Sequence, residues 1–234
     1  MSAKPDAALL KQQAGEFAAG FVRSGMVVGL GTGSTAIFAV RMIAKRVAAG
    51  ELKNVSGVPT SRPVAAEARR LQLPLEPEDM PRRIDMTIDG ADEVDAAMNL
   101  IKGGGGALFR EKIVAQASER VVIVVDEGKL SPQLGMRHSL PVEVLAFGWR
   151  SQQRFLEECG GKVAVRQKNG AVFTTDSGNM IFDCEFGAIA DPAALAAKLA
   201  GRAGIVEHGL FVGIATDLII AGAAGVRHVR RGDL

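Results

Sequence analysis

Four short, largely apolar runs, Met26–Leu30, Val55–Val58, Ile84–Ile88 and Val121–Val125, punctuate the first half of the chain, and the last two end directly at acids, Asp89 and Asp126. Runs that are largely apolar suit strands covered on both faces, which is the condition of a parallel sheet with helices packed above and below it. The segments around them support that reading. Ala7–Val22 carries apolar residues at helical spacing (Leu10, Ala14, Phe17, Ala18, Phe21) and is stopped by Ser24-Gly25. Ala36–Ala49 and Ala107–Ser118 also have helical spacing, the former between the first two runs and the latter between the last two. Strands linked through helices predict a Rossmann-like α/β layer, mainly parallel, with helices on both faces.

Beyond about Leu130 the pattern changes. Leu140–Leu145, Lys162–Arg166, Ala171–Thr175 and Met180–Cys184 are short and often alternating, and the last three are separated by Asn-Gly and Ser-Gly turns, which predicts antiparallel pairing. With helices expected at Ser151–Cys159 and Pro192–Ala200, this part reads as a smaller antiparallel α+β domain over 132–207, set into a Rossmann-like domain of 1–131 and 208–234. Leu210–Ile214 is expected to return to the first sheet. The apolar stretch Leu210–Val226, interrupted by Asp217 and rich in glycine, suits a buried strand followed by a short helix and is too broken for a membrane span.

A formal net charge of +2, with no long run of like charges, argues against nucleic acid or a membrane surface as the main partner. The pairs Arg69-Arg70, Arg82-Arg83 and Arg230-Arg231 read as solvated. Two cysteines, Cys159 and Cys184, fit a reducing compartment, and the proline and acid within Met1–Asp6 do not suit an export signal, so the cytoplasm is the expected location.

Three segments carry candidate chemistry. The turn Gly29-Leu-Gly-Thr-Gly-Ser-Thr-Ala36 places glycines and hydroxyls where a helix begins, and a helix start offers unpaired amides and the positive end of its dipole to an anion. A dinucleotide would need an acid at the end of the next strand, whereas this strand ends in Pro59-Thr60-Ser61; Thr32, Gly33, Ser34 and Thr35 suit a small phosphate instead, or else a capped tight turn. Asp89-Gly90-Ala91-Asp92 lies at the carboxyl end of a strand, where open α/β sheets bind ligands, although Asp92, Glu93 and Asp95 by themselves read as solvated turn acids. Lys102-Gly103-Gly104-Gly105-Gly106 leads into the helix bearing Glu111. Four glycines in a row are costly to order, and amides that can approach a ligand closely are the best reason for them. A carboxylate beside such amides and a lysine makes a general base with an oxyanion site. Arg110 and Lys112 read as solvated, and Lys129 as a further cation at the sheet edge. His138, His208 and His228 lack ligand spacing, so no metal is expected.

In their order and approximate spacing, Thr32-Gly-Ser-Thr35, Asp89-Gly-Ala-Asp92, Lys102-Gly-Gly-Gly105, Arg110-Glu-Lys112 and Lys129 resemble the A-type ribose-5-phosphate isomerases. The likeness runs over nearly the whole chain, including Leu140-Pro-Val-Glu-Val144 and Gly209-Leu-Phe211. It implies interconversion of ribose 5-phosphate and ribulose 5-phosphate through an enediolate, without cofactor, in a homodimer or homotetramer. It further implies Glu111 as base, Lys102 with the Gly103–Gly105 amides on the developing oxyanion, and Asp89 on ring opening or hydroxyl protons. Asp92 would orient sugar hydroxyls, and Thr32–Thr35 with Lys129, and more weakly Lys11, would hold the phosphate. Phe109, where the family carries Thr or Leu, would reshape a pocket wall, and Ser61-Arg-Pro63 interrupts a helix start. A sugar-phosphate sensor and an acyl-CoA transferase-like enzyme are the rival readings. The first would need a DNA-reading segment and the second room for a pantetheine arm, and neither is evident.

Overall fold

The computed structural model describes residues 7–80 and 82–233; Met1–Asp6, on which the reading against export rests, lies outside them. The elements begin α1 (Ala7–Ala19), β1 (Val27–Leu30), α2 (Ala36–Ala48), β2 (Ser56–Pro59), α3 (Arg62–Arg70), β3 (Ile84–Asp89), β4 (Glu93–Val94), β5 (Leu100–Ile101), α4 (Leu108–Gln116) and β6 (Ser118–Asp126). They continue with β7 (Leu140–Val144), α5 (Trp149–Glu158), β8 (Lys162–Val165), β9 (Gln167–Lys168), β10 (Ala171–Val172), β11 (Met180–Glu185), α6 (Pro192–Ala200), β12 (Ile205–His208), β13 (Leu210–Phe211), β14 (Asp217–Gly222) and β15 (Gly225–Arg230). The chain divides into two compact units: the described residues up to Gly90 with Arg110–Lys129 and the segment from Ile214 onward, and Ala91–Phe109 with Leu130–Gly213.

The first unit is the expected α/β layer, a six-stranded sheet ordered β15-β14-β6-β3-β1-β2 and parallel except for β15. Val28 and Leu30 join Leu10, Ala14, Val40, Ile43 and Val64 in a core shared with α1, α2 and α3. Val27, Val58 and Ile84 cluster instead with Val114 of α4, so helices cover both faces, as the largely apolar runs suggested. From β1 the chain passes to edge strand β2, and from β3 to β6 on the other side; β1 and β3 are thus the neighbours at which the strand order reverses. Open α/β sheets bind their ligands outside the carboxyl ends of such a pair.

The last strands correct the sequence expectation. Leu210–Phe211 pairs with Leu100–Ile101 in a three-stranded sheet of the second unit, and the strand that joins the large sheet is Asp217–Gly222. A strand comes next in place of the expected helix: Gly225, at φ +102°, reverses the chain into Gly225–Arg230. The reason lies at both ends of the hairpin. Asp217 receives two bonds from Arg120, at 2.8 and 2.7 Å, and one contact from His228 at 2.6 Å, which ties β14 to β6 and β15 together.

The second unit contains an antiparallel sheet ordered β12-β7-β11-β8, with Leu156 of α5 and Leu199 of α6 in its core, together with β13-β5-β4 and the hairpin β9-β10. Asn169 and Gly170, both at positive φ (54° and 78°), form the hairpin turn that Asn-Gly announced. The strand expected over Ala171–Thr175 stops at Val172; Thr174 keeps an isolated antiparallel bridge to Met180, and Thr175 donates its hydroxyl to buried Glu143 at 2.9 Å.

Candidate active site

The candidate residues fall into two sets, one on each unit. In the first unit Thr32–Thr35 follow β1, Asp89 ends β3 with Gly90 after it, and Lys129 follows β6, so all lie at the carboxyl edge around the strand-order reversal. Gly31 shapes this edge. Its amide donates to Ile88 O at 2.9 Å, and a Cβ on it would sit 2.2 Å from Asp89 Oδ1 and 2.5 Å from Asp89 Cα. Only a hydrogen there lets the Asp89 carboxyl lie against the turn. Asp89 is buried, and its Oδ1 accepts the Gly90 amide at 2.7 Å.

Glu111 reaches the same edge through α4. Gly29 faces α4, where a Cβ would meet Thr87 Oγ1 at 1.9 Å and Val114 Cγ1 at 2.7 Å. Glu111 lies one helical turn before Val114 on the same helix face, about 5 Å nearer the helix start. Because α4 leads back to the amino end of β6, its start points to the carboxyl edge. Glu111 is buried, and so is Lys112, which corrects its reading as a solvated residue.

The hydroxyl turn is more elaborate than expected. Thr35 stands at the N-cap of α2 without a side-chain capping bond, and Ser34 is exposed. Thr32 Oγ1 lies 2.9 Å from Thr60 Oγ1 and donates to Ser61 Oγ at 2.7 Å. Thr60 in turn donates to Leu30 O at 2.9 Å, and Ser61 accepts the Val64 amide at 3.4 Å as the N-cap of α3, with Pro63 in its first turn. Pro63 does not interrupt the helix, since an early helical position loses no hydrogen bond to proline. Thr60 and Ser61, which the sequence offered only as the end of the second strand, are neighbours of the hydroxyl turn; their signal was a pair of hydroxyls at the end of the strand next to β1.

In the second unit Ala91 and Asp92 precede β4, and Lys102–Gly105 follow β5. Asp92 Oδ2 accepts the Gly104 amide at 2.7 Å, and a Cβ on Gly104 would meet Asp92 Oδ1 at 2.8 Å. The Gly106 amide closes a turn on Gly103 O at 2.9 Å; the Gly103 and Gly105 amides take part in neither bond. Gly103 has φ +109° and packs so tightly on Leu108 that a Cβ would lie 2.7 Å from it. Lys102 is buried, with its amide on Gly209 O at 2.9 Å and its ammonium 5.5 Å from the centre of the Phe211 ring. Glu93 corrects its reading as a solvated bystander: it is fully buried, and its Oε2 accepts the amides of Gly135 and His138 at 3.0 and 3.2 Å. Among the described residues no cluster of three or more His, Cys, Asp or Glu side chains could hold a metal ion.

The family model described as ribose 5-phosphate isomerase A (phosphoriboisomerase A) matches residues 56–225. The chain belongs to this family. A curated ribose-5-phosphate isomerase A from Chloroflexus aurantiacus is 56% identical over 95% of this chain and 94% of its own length, and one from Desulfatibacillum aliphaticivorans is 51% identical over 94% and 96%. Among solved structures, a D-ribose-5-phosphate isomerase in complex with phospho-erythronic acid superimposes with a TM-score of 0.93 at 34% identity, covering 96% of this chain and 99% of that one. The ribose 5-phosphate isomerase from Plasmodium falciparum gives 0.92 at 37% identity over 95% and 98%. The A-type isomerase fold therefore extends over both units.

Proposed function

We infer that this protein interconverts D-ribose 5-phosphate and D-ribulose 5-phosphate, the aldose-ketose isomerisation of the non-oxidative pentose phosphate pathway. The observation that carries the inference is identity of 56% with a curated ribose-5-phosphate isomerase A over 95% of the chain. Isomerisation moves a proton from C2 to C1 through an enediolate and needs a base, a partner for the developing oxyanion and an anchor for the remote phosphate.

We assign these tasks as follows. Glu111 removes the C2 proton and returns it to C1; its burial keeps bulk water from competing for that proton. Lys102 with the Gly103 and Gly105 amides stabilises the enediolate oxygen, and the Gly104 amide supports Asp92, whose carboxylate orients a sugar hydroxyl. Asp89, seated against Gly31, handles hydroxyl protons during ring opening. The Thr32–Thr35 turn at the start of α2, with Lys129, receives the phosphate dianion. No redox cofactor is needed, because the reaction is redox-neutral within one molecule.

We further propose a homodimer or homotetramer in the cytoplasm. Phe147 at 93% and Leu145 at 47% exposure leave an apolar patch suited to a second copy, and both cysteines are free thiols. No described helix is long and apolar enough to cross a membrane. Light scattering on the purified protein tests the assembly, and a monomer at micromolar concentration would refute it.

The activity is tested by incubating protein and excess chelator with ribose 5-phosphate in deuterated water, following C2 exchange and ketose formation by NMR. Turnover that survives the chelator is expected. Glu111→Gln should lower kcat about 10²–10⁴-fold, the usual contribution of a positioned base. Full activity of that variant would refute the assignment.

A further inference from the structure

We propose that Arg166 is a positioning residue for the isomerisation, setting the direction of the Gly104 and Gly105 amides from behind the glycine loop. The proposal rests on the reading that this loop serves the enediolate oxygen. Arg166 follows β8, and its side chain is 14% exposed. Its backbone is held at both ends, the amide donating to Ile181 O at 2.8 Å and the carbonyl accepting Phe173 N at 2.9 Å. One edge of the guanidinium is committed to Asp183 of β11: Nε donates to Oδ2 at 2.9 Å and Nη2 to Oδ1. That fork sets the plane of the group, and the remaining nitrogen, Nη1, donates to Gly103 O at 2.6 Å and to Gly104 O at 3.2 Å.

The consequence follows from peptide geometry. In a planar trans peptide the C=O of one residue and the N–H of the next point in opposite directions. Holding Gly103 O on Arg166 therefore turns the Gly104 amide away from Arg166, where Asp92 Oδ2 takes it at 2.7 Å. Holding Gly104 O in the same way turns the Gly105 amide away from Arg166. Consecutive glycines have more backbone freedom to lose than any other sequence, so the Gly105 amide, which is to meet a short-lived oxyanion, and the Gly104 amide, which holds Asp92, need an external clamp. A partly buried cation on their carbonyls also polarises the peptides and strengthens the amides as donors.

The test uses the full-length enzyme with Arg166→Met, Arg166→Lys and Asp183→Asn, and compares kcat, KM, inhibition by inorganic phosphate and inhibition by phospho-erythronic acid. That acid is the compound bound in one solved relative, and its planar carboxylate imitates the enediolate. Arg166→Met should lower kcat about 10–100-fold and weaken phospho-erythronic acid by a comparable factor, leaving KM and phosphate inhibition within about twofold. Arg166→Lys, which keeps a charge but not the fork, should fall between, as should Asp183→Asn, and millimolar guanidinium should restore part of the Arg166→Met rate. If Arg166→Met fails to fold, Arg166→Lys and Asp183→Asn carry the same comparison. Unchanged kcat in these variants, or parallel losses in all four measurements, would overturn the proposal. A fully active Glu111→Gln would instead refute the assigned mechanism, whereas an inactive Glu111→Gln beside a fully active Arg166→Met would refute the clamp alone.

Discussion

Replacing Gly31 with alanine adds one methyl group at the strand-order reversal, and its consequences can be worked out from distances. The new Cβ would lie 2.2 Å from Asp89 Oδ1, 2.4 Å from its Cγ and 2.5 Å from its Cα, whereas carbon atoms rest at about 3.5–4.0 Å. Rotating the Asp89 side chain relieves the first two contacts but not the third, so β1 and β3 must separate by roughly 1 Å at their carboxyl ends. The Gly31 amide bond to Ile88 O, 2.9 Å long, resists that separation. Overpacking of this kind costs about 1–3 kcal/mol, which for a chain of this size lowers Tm by about 2–12 °C. Activity should suffer more, because displacing a reacting group by about 1 Å can cost 10²-fold. Gly31→Ala should therefore remain folded at 25 °C while kcat/KM for ribose 5-phosphate falls about 100-fold, measured by ketose formation alongside calorimetry. A folded variant with kcat/KM within threefold of the parent would show that the close approach of Asp89 to the turn is not needed.

Further outcomes follow from the same geometry. Burial raises the pKa of Asp217, but bonds from Arg120, Thr216 and His228 outweigh it and hold the carboxyl below its usual range. Its stabilisation is present above the unfolded carboxylate pKa near 4 and is lost as pH falls toward the folded value. Asp217→Asn should cost about 1–3 kcal/mol at pH 7, discounted because Arg120 keeps 31% of its side chain exposed, and the Tm gap to the parent should narrow below about pH 4; a gap independent of pH would refute this. Ser61→Ala removes the cap of α3 and a partner of Thr32, so a loss of about 1 kcal/mol by denaturant unfolding is expected, with a raised KM for the phosphorylated sugar. An unchanged KM would separate the hydroxyl chain from phosphate binding. Gly104→Ala, which presses a methyl group on Asp92, should lower kcat at least tenfold, and wild-type turnover would refute the assigned pairing of Asp92 with the loop.

The parts of the fold legible in sequence were those with strong local signals. Val121–Val125 announced a strand buried on both faces, and Asn169-Gly170 announced a hairpin turn, because periodicity and turn chemistry act within a few residues. Leu210–Ile214 misled because a short apolar run does not name its partner: Leu210–Phe211 found Leu100–Ile101 rather than the large sheet. Glu93 and Lys112 misled in the same way. A charged residue in a polar stretch reads as solvated, and only distant chain, such as the Gly135 and His138 amides on Glu93, shows that it is enclosed.

The sequence alone determined the class of the fold and the inventory of chemical groups: a hydroxyl turn after the first strand, acids ending the third, and a lysine and glycines ahead of Glu111. Those follow from residue types and their spacing along one segment. Tertiary structure decided how the groups are held. Gly31 is needed because Asp89 lies against it; the Gly104 amide is committed because Asp92 meets it, and the glycine loop has a direction because Arg166 grips its carbonyls. Each of these depends on a contact between residues far apart in the chain or across a sharp turn, and steric fit and hydrogen-bond direction at such contacts are set by packing, which local sequence does not encode.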